Sequence, residues 1–455
     1  MHDITISGII DLIDKATGPA DNIFNTFRQN ILSGSYQDYA EDSLNKLTPD
    51  IRDSLNPWRA HNRISHIKDN EYFFNFKIPS KYFPFSHGGE THLIDSIIGD
   101  MFSISNSSIK KIHITQITWP ELDTSLQSKQ STPNTIRAKF KLDQYSPLLG
   151  FSVKPRLGLP NNAFFERCEE AAKLGFNIIE ADTRKILLDS NDLDRHIEFA
   201  STLCKTAYQR KHTCAYSINM SNYGGDFTRA IEKISKTIHT VPAVIKIDAG
   251  LDSLSRIKKA KEVNSNLIIT SYPLIKKIIS PRIPDQFFDQ VLSHSGIDIM
   301  YPGGFVAVPG NKRHYNATED LTLLGESISR YTNHIISSRF TPTITGGISA
   351  GLLHLYYELY GPRIGYFLGG AVATNAKGMN AGAELCMAIV KHAKAQRAKY
   401  EIFKNIAPLH SKIIQKIRDE TDSEYVIPRE FIENNKLGQF VDENWKNWTR
   451  TSFDT

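Results

Sequence analysis

The chain has 455 residues, more than a single hydrophobic core usually organises, so two domains and an extension are expected. Its 40% hydrophobic and 23% charged residues are the balance of an ordinary globular protein, and a net charge of +5 is too dilute over this length to point to nucleic acid. No run approaches the about 18 apolar residues that cross a membrane, and the cysteines (Cys168, Cys204, Cys214, Cys386) lack metal-ligand spacing, which predicts reduced thiols in a cytoplasmic protein.

The opening MHDITISGIIDLIDK carries acids where a signal peptide has a basic region, and its apolar run breaks early, so no targeting segment is expected. Residues 1–145 alternate helical stretches with isolated strands at 72–78, 111–117 and 135–142, the texture of an α+β domain of ferredoxin-like type. The polar run 123–134 reads as a loop. From 146 to 397, short β-branched runs alternate with segments of helical period. The strands fall at 150–154, 176–180, 214–220, 243–248, 267–272, 298–301, 341–345 and 365–368. Of the helices between them, 161–174 is striped by Phe164, Phe165, Cys168, Ala171 and Leu174, and 226–240 by Phe227, Ala230, Ile231, Ile234 and Ile238. Eight βα units over about 250 residues predict an α/β fold with a (β/α)8 TIM barrel. An open doubly wound sheet is the runner-up, weakened because no GxGxxG follows the first strand. Residues 398–455 turn helical and polar, then aromatic at Trp445, Trp448 and Phe453, which predicts a helical extension used as a docking arm.

Chemistry in such barrels sits at the C-terminal ends of the strands. Those positions here are Lys154, Glu180 with Asp182, Asn219, Lys246 with Asp248, Tyr272, Tyr301, Thr345 with Gly346 and Gly347, and Gly369 with Gly370. Glycine turns after strands seven and eight leave backbone N–H groups able to converge on a phosphate, although glycines also simply close turns. A side chain at Gly347 or Gly370 is expected to fill that space and to strain a glycine backbone. Lys154, directly before a proline, is either a snorkelling surface lysine or an acid/base facing the mouth. Glu180 and Asp182 lie two apart, so they point to one side and either share a cation or form a salt-bridged pair beside Arg184 and Lys185.

Several of these segments resemble the RuBisCO large-subunit family, in its RuBisCO-like branch. LLGFSVKPRLGLP (148–160) resembles the family's first barrel strand, GFNIIEAD (175–182) its metal-site strand, TITGGIS (343–349) its Ser-Gly-Gly strand, and FLGGAVATNAKGMNAGAELCMAIVKHA (367–393) its last strand and phosphate loop. Upstream, DSIIGDMFSI (95–104) and, more faintly, RQNILSGSY (28–36) resemble the segments that the family lends to a partner subunit's site. The resemblance implies a homodimer and a role for Asp100 in the neighbour's site.

The departures decide what else it implies. Where the family has a carbamylated lysine followed by Asp and Glu, this sequence reads Glu180, Asp182 and Thr183. The two active-site histidines of carboxylating members align with Tyr272 and Tyr301, the second phosphate-gripping arginine with Pro273, and the mobile-loop lysine with a position near Val308. The side chains lent in trans become Asn30 and Asp100. Lys154, Arg156, Asp182, Thr345, Gly346, Gly347, Gly369 and Gly370 are retained. Carboxylation needs a stabilised enediolate, two phosphate grips and a cation for CO2, so CO2 fixation is not expected. The expected chemistry is enolisation or isomerisation of a phosphorylated keto-sugar-like metabolite. Lys154, Asp182 and Asp100 are then catalytic, and Thr345 and the four glycines bind phosphate. A magnesium site would rest on Glu180 and Asp182 alone. The alternatives are a pseudoenzyme that keeps the phosphate pocket, and a Schiff-base enzyme using Lys154 or Lys246.

Overall fold

The computed structural model describes residues 3–12, 63–79, 109–118, 130–154, 159–181, 190–209, 212–221, 223–238, 242–248, 253–272, 295–301, 340–345, 360–373 and 377–400, with single positions at 348, 353, 356, 357 and 375. The described strands fall into two compact units. In the first, β1 (Asp3–Leu12), β2 (Arg63–Lys68), β3 (Glu71–Pro79) and β4 (Ile109–Thr118) form an antiparallel sheet in the order β2-β3-β1-β4. Alternation drives it: Ile4, Ile6, Ile10 and Leu12 of β1 are buried with Phe74, Phe76 and Ile78 of β3 and Ile114 and Ile117 of β4. Reading 1–15 as a broken apolar run overlooks this period of two, and β1 and β2 are additions to the expected strands. Its described residues before 128 are strand, with a turn between β2 and β3.

The second unit holds a closed barrel. Its strands are β5 (Leu148–Ser152), β6 (Ile178–Glu180), β7 (Ala215–Asn219), β8 (Val244–Lys246), β9 (Ile268–Ser271), β10 (Ile299–Met300), β11 (Thr341–Thr345) and β12 (Gly365–Leu368). All eight lie within the expected segments or overlap them, and all pair in parallel. Strands buried on both faces must be apolar along their length, which is why these runs read as continuous rather than alternating. Helices α2 (Asn161–Lys173), α3 (Ser190–Gln209), α4 (Phe227–Thr237) and α5 (Ser253–Val263) follow successive strands, and α6 (Gly370–Ala373) and α7 (Met379–Tyr400) follow the last. The expected stripes are realised: Phe164, Cys168 and Ala171 are buried on α2, and Ala230, Ile231 and Ile234 on α4. Asp226 caps α4 by accepting the Arg229 N–H at 3.0 Å. No helix among the described residues is long and apolar enough to cross a membrane.

One expectation fails. Residues 135–142, read as a strand, overlap the helix α1 (Pro133–Lys139), which also takes the last two residues of the expected loop 123–134. The Ile136, Ala138, Phe140, Leu142 alternation suggested a strand. The start signals oppose it, because Thr132 accepts the Thr135 N–H at 3.2 Å and a proline opens the first turn. As a helix, Ile136 and Phe140 stand on one face and plug the barrel floor. There they pack with Leu148, Ile178, Ala215, Val244, Ile268 and Ile299, each contributed by a different strand. Phe367 completes this cluster, and its ring lies where a side chain on Gly150 would be, since a Cβ there would stand 2.4 Å from it.

The plug is bolted down by a buried ion pair. Asp298 accepts two bonds from Lys261 Nζ (2.9 and 2.7 Å), one from the Ser131 N–H at 2.6 Å and one from the Ile269 N–H at 2.7 Å. Both charged side chains are 0% exposed. Burial pushes the Asp298 carboxyl above its ordinary value, and Lys261 with the two N–H groups pulls against that rise. All four cysteines are buried and unpaired by disulfides, with burial pushing the Cys204 and Cys386 thiols up to about 12. Removing one partner of a buried pair leaves an uncompensated charge, so Lys261→Met should cost about 3–5 kcal/mol in urea-induced unfolding, far more than a surface lysine.

Candidate functional site at the barrel mouth

At the C-terminal ends of the strands the barrel interior turns polar. Glu180 ends β6, and its Oε1 accepts two bonds, from Ser152 Oγ of β5 at 2.5 Å and from Lys246 Nζ of β8 at 3.1 Å. Lys246 comes from the next strand but one, so both side chains point into the barrel. The same ammonium lies 3.8 Å from Asp248 Oδ1, which accepts the Tyr272 N–H at 3.0 Å. The Asp248 N–H donates to Ser221 Oγ at 2.8 Å, and the Ser221 N–H to Asn219 Oδ1 at 3.0 Å. One continuous set of contacts thus joins β5, β6 and β8 to the segments that follow β7, β8 and β9. Lys246 and Asp248 are 4% and 5% exposed and Glu180 10%, so solvent screens these charges little.

Beside this cluster stands Lys154, two residues beyond the end of β5. A Cβ built on Gly369 would lie 3.0 Å from Lys154 Cε and 3.7 Å from Nζ, and 3.3 Å from the Ser152 carbonyl oxygen. The lysine stem therefore runs close against Gly369, where a larger side chain would crowd it, and its ammonium stands against the turn that follows β12. Strands β11, β12 and β5 are neighbours, which brings Thr345, Gly369, Gly370 and Lys154 to adjacent strand ends. A Cβ on Gly370 would meet nothing within 4 Å, and neither glycine has a positive φ. The expected backbone strain at Gly370 is accordingly absent, while the expected open space is present. Tyr272 and Tyr301 stack across the ends of β9 and β10, with centroids 5.0 Å apart and planes 16° from parallel.

Of the anticipated site residues, Lys154, Glu180, Thr345, Gly369 and Gly370 lie in the described barrel, and Glu180 with Lys246 forms the ion pair. Asp100, Asp182, Gly346 and Gly347 lie outside the described residues, as do Asn30, Arg156, Thr183, Arg184, Lys185, Pro273, Val308 and the tail 401–455. Ser152 was not singled out in the sequence. Its signal was available, since it precedes Lys154 by two on one strand and so shares its face. A cleft of about 430 Å³ opens outside the barrel between α2 and the start of α7, lined by Arg167, Glu166 and Glu170 among others. Arg167 of this cleft links to the mouth, its Nη1 donating to the Lys154 carbonyl at 2.8 Å.

Magnesium, which the resemblance implies, is tested by the donor set. Glu180 Oε1 already receives a hydroxyl and an ammonium, and a divalent ion could not bind that oxygen without facing the Lys246 charge at close range. Among the described residues no three His, Cys, Asp or Glu side chains converge on one point. Glu180 as placed is committed to an ion pair with Lys246, and Asp182, the other anticipated ligand, lies outside the described residues.

A parallel barrel joined to an antiparallel sheet unit is the architecture of RuBisCO large chains and RuBisCO-like proteins, and comparison with known proteins returns the same group. No protein-family model matches the chain. Over 337 residues it is 21% identical to the plasmid-encoded RuBisCO large chain of Cupriavidus necator, covering 70% of this chain and 68% of that one. The large chain of Cupriavidus taiwanensis matches to the same extent. Among solved structures it is similar to a RuBisCO-like protein from Burkholderia fungorum (TM-score 0.62, 12% identity, covering 92% of this chain and 98% of that one). It is also similar to the dimeric archaeal RuBisCO of Hyperthermus butylicus (0.65, 15%, 90% and 96%) and to the octameric RuBisCO of Pyrococcus horikoshii in complex with sulfate (0.62, 15%, 91% and 93%). The chain is thus similar in sequence, at 21% identity, to RuBisCO large chains and shares the fold of these structures.

Hydrogen bonds to charged groups are the strong ones, and Ser152 is buried. Ser152→Ala should therefore lower stability by about 1.5–3 kcal/mol in urea titration, more than a typical surface Ser→Ala change.

Proposed function

We propose that the barrel mouth binds a small phosphorylated keto compound and promotes its enolisation, with Lys154 as the acid/base and without fixing CO2. The observation that carries this reading is the approach of the Lys154 ammonium to the Gly369 turn. A cation and a glycine turn at one place suit an anionic group, and open space at Gly370 leaves room for it. Thr345 adds a hydroxyl at the neighbouring strand end, and Gly346 and Gly347 belong to the same proposed cradle. The similar RuBisCO of Pyrococcus horikoshii forms a complex with an anion, sulfate.

A lysine at that position serves enolisation by exchanging a proton with the carbon next to the carbonyl or with the carbonyl oxygen. Asp182 and, from a partner subunit, Asp100 are the further groups we assign to proton transfer. Against carboxylation stand Tyr272 and Tyr301, stacked rings that by the resemblance align with the histidines of carboxylating members, and Glu180, which by the same resemblance aligns with the lysine that would be carbamylated. A Schiff base at Lys246 is disfavoured, because two carboxylates hold it as a buried ammonium.

Inorganic phosphate and a ketose monophosphate should raise the melting temperature of the wild type, since a ligand of the folded state stabilises it. Gly370→Asp should abolish that rise with little change in the unliganded melting temperature. Ketose bisphosphates should gain little further. In deuterated water the wild type should exchange the proton beside the ketone, followed by NMR, and Lys154→Met should lose exchange while keeping part of the phosphate protection. Protection without exchange would leave a phosphate-binding pseudoenzyme. Trapping of a keto ligand by borohydride, lost in Lys154→Met, would instead indicate a Schiff base.

Assembly follows from the same reading. One structural relative is dimeric, and two-fold dimers are the commonest oligomers, so a homodimer is the proposed form. Light scattering at micromolar concentration should return twice the chain mass, and a monomer would remove the role given to Asp100.

A further inference from the structure

We infer that the Lys246 ammonium is a built-in cation for the barrel mouth, standing where a divalent metal would otherwise bridge Glu180 and Asp248. Three observations converge on it. First, one atom, Lys246 Nζ, lies 3.1 Å from Glu180 Oε1 and 3.8 Å from Asp248 Oδ1, so a carboxylate of β6 and one just beyond β8 focus on a single positive charge. Second, the arrangement is anchored. Ser152 fixes the same Glu180 oxygen at 2.5 Å, and the Tyr272 N–H fixes the same Asp248 oxygen at 3.0 Å. Third, the cluster is almost dry, with Lys246 at 4% exposure, so water does little of the neutralising.

Magnesium binds carboxylate oxygens at about 2.0–2.1 Å and usually keeps several waters, with only one or two carboxylates in its shell. Glu180 and Asp248 would make such a pair if the space between them were empty. It is filled by a side chain carried on β8, the strand between those that bear Asn219 and Thr270 in register with Lys246. The cation is thus part of the polypeptide, always present and independent of metal supply. Chemistry or binding at this mouth draws its positive charge from lysines, Lys246 among the carboxylates and Lys154 at the glycine turn. This inference holds whether the ligand is a phosphorylated keto compound or another anion.

The experiment replaces the cation. Wild-type protein is melted in chelator, in millimolar MgCl2 and in millimolar MnCl2, and Mn2+ binding is followed by electron paramagnetic resonance. The melting temperature of the wild type should be the same in all three, and no Mn2+ should bind at a site sensitive to Glu180→Gln. Lys246→Met removes the ammonium and leaves the two carboxylates facing each other. It should melt lower in chelator, recover part of the loss in MnCl2 or MgCl2, and bind one Mn2+ per chain. The double variant Lys246→Met/Glu180→Gln should lose the recovery and the bound Mn2+. If Lys246→Met does not fold, Lys246→Gln, which keeps a hydrogen-bond donor, is read in the same way. The inference is overturned by a wild type that gains stability from Mg2+ or Mn2+ through Glu180. It is equally overturned by a folded Lys246 variant that gains no cation site. Phosphate protection of the wild type is measured separately, so failure of the ligand reading is told apart from failure of this one.

Discussion

A closed parallel barrel leaves little water among its strands, and any charge placed inside it must be neutralised by another charge or by fixed dipoles. That constraint shapes both ends of this barrel. At the floor, Asp298 and Lys261 are fully buried, and the carboxylate also takes N–H groups from Ser131 and Ile269. At the mouth, Lys246 stands between Glu180 and Asp248. Between the two lie apolar layers and a long Ser217–Thr270 hydroxyl contact at 3.3 Å. A half-made version of either cluster would be worse than an apolar one, since a lone buried charge costs several kcal/mol.

The two clusters differ in what they leave over. Every atom of the floor pair is spoken for, and its bonds tie the entry to α1 against β9 and α5, so its role is to hold the plug. The mouth cluster sits beside Lys154 and the open Gly370 turn, where side-chain volume has been withheld. Glycine serves two ends there and in the core. At Gly150 the missing Cβ is filled by the Phe367 ring, which is packing, while at Gly369 it is filled by a lysine stem, which brings a charge to the rim.

Solved structures at 12–15% identity overlay most of the chain, so the same fold accommodates very different side chains. Backbone closure requires only apolar β-branched runs at regular spacing, a demand that many sequences meet. The mouth is under no such demand, so its residues are where chemistry is free to change. For that reason the fold by itself does not carry function from the relatives to this chain, and the reading rests on Lys154, Gly369 and the Glu180–Lys246–Asp248 cluster.

The barrel was legible because its signal is local: eight apolar runs, each followed by a helical stretch, mark strands whatever their partners. The strand-end residues followed from that spacing, and with them Lys154, Glu180, Lys246 and the Gly369–Gly370 turn. Two local patterns misled. The alternation in 135–142 belongs largely to a helix whose Ile136, with Phe140 at its C-cap, faces the barrel floor, because a burial demand from seven strands outweighs a pattern of four residues. The alternation in 3–12 was overlooked, although Ile4, Ile6, Ile10 and Leu12 carry it plainly. Sequence could place Glu180 and Lys246 at strand ends but could not pair them, since 66 residues separate them and only barrel closure brings β6 and β8 within reach. It likewise offered Arg184 and Lys185 as partners for the carboxylate, the nearest charges along the chain. Sequence alone thus determined which segments are strands and which residues stand at their ends. The tertiary structure decided which charges meet, because electrostatic pairing depends on distance through space, and distance along the chain says nothing about it.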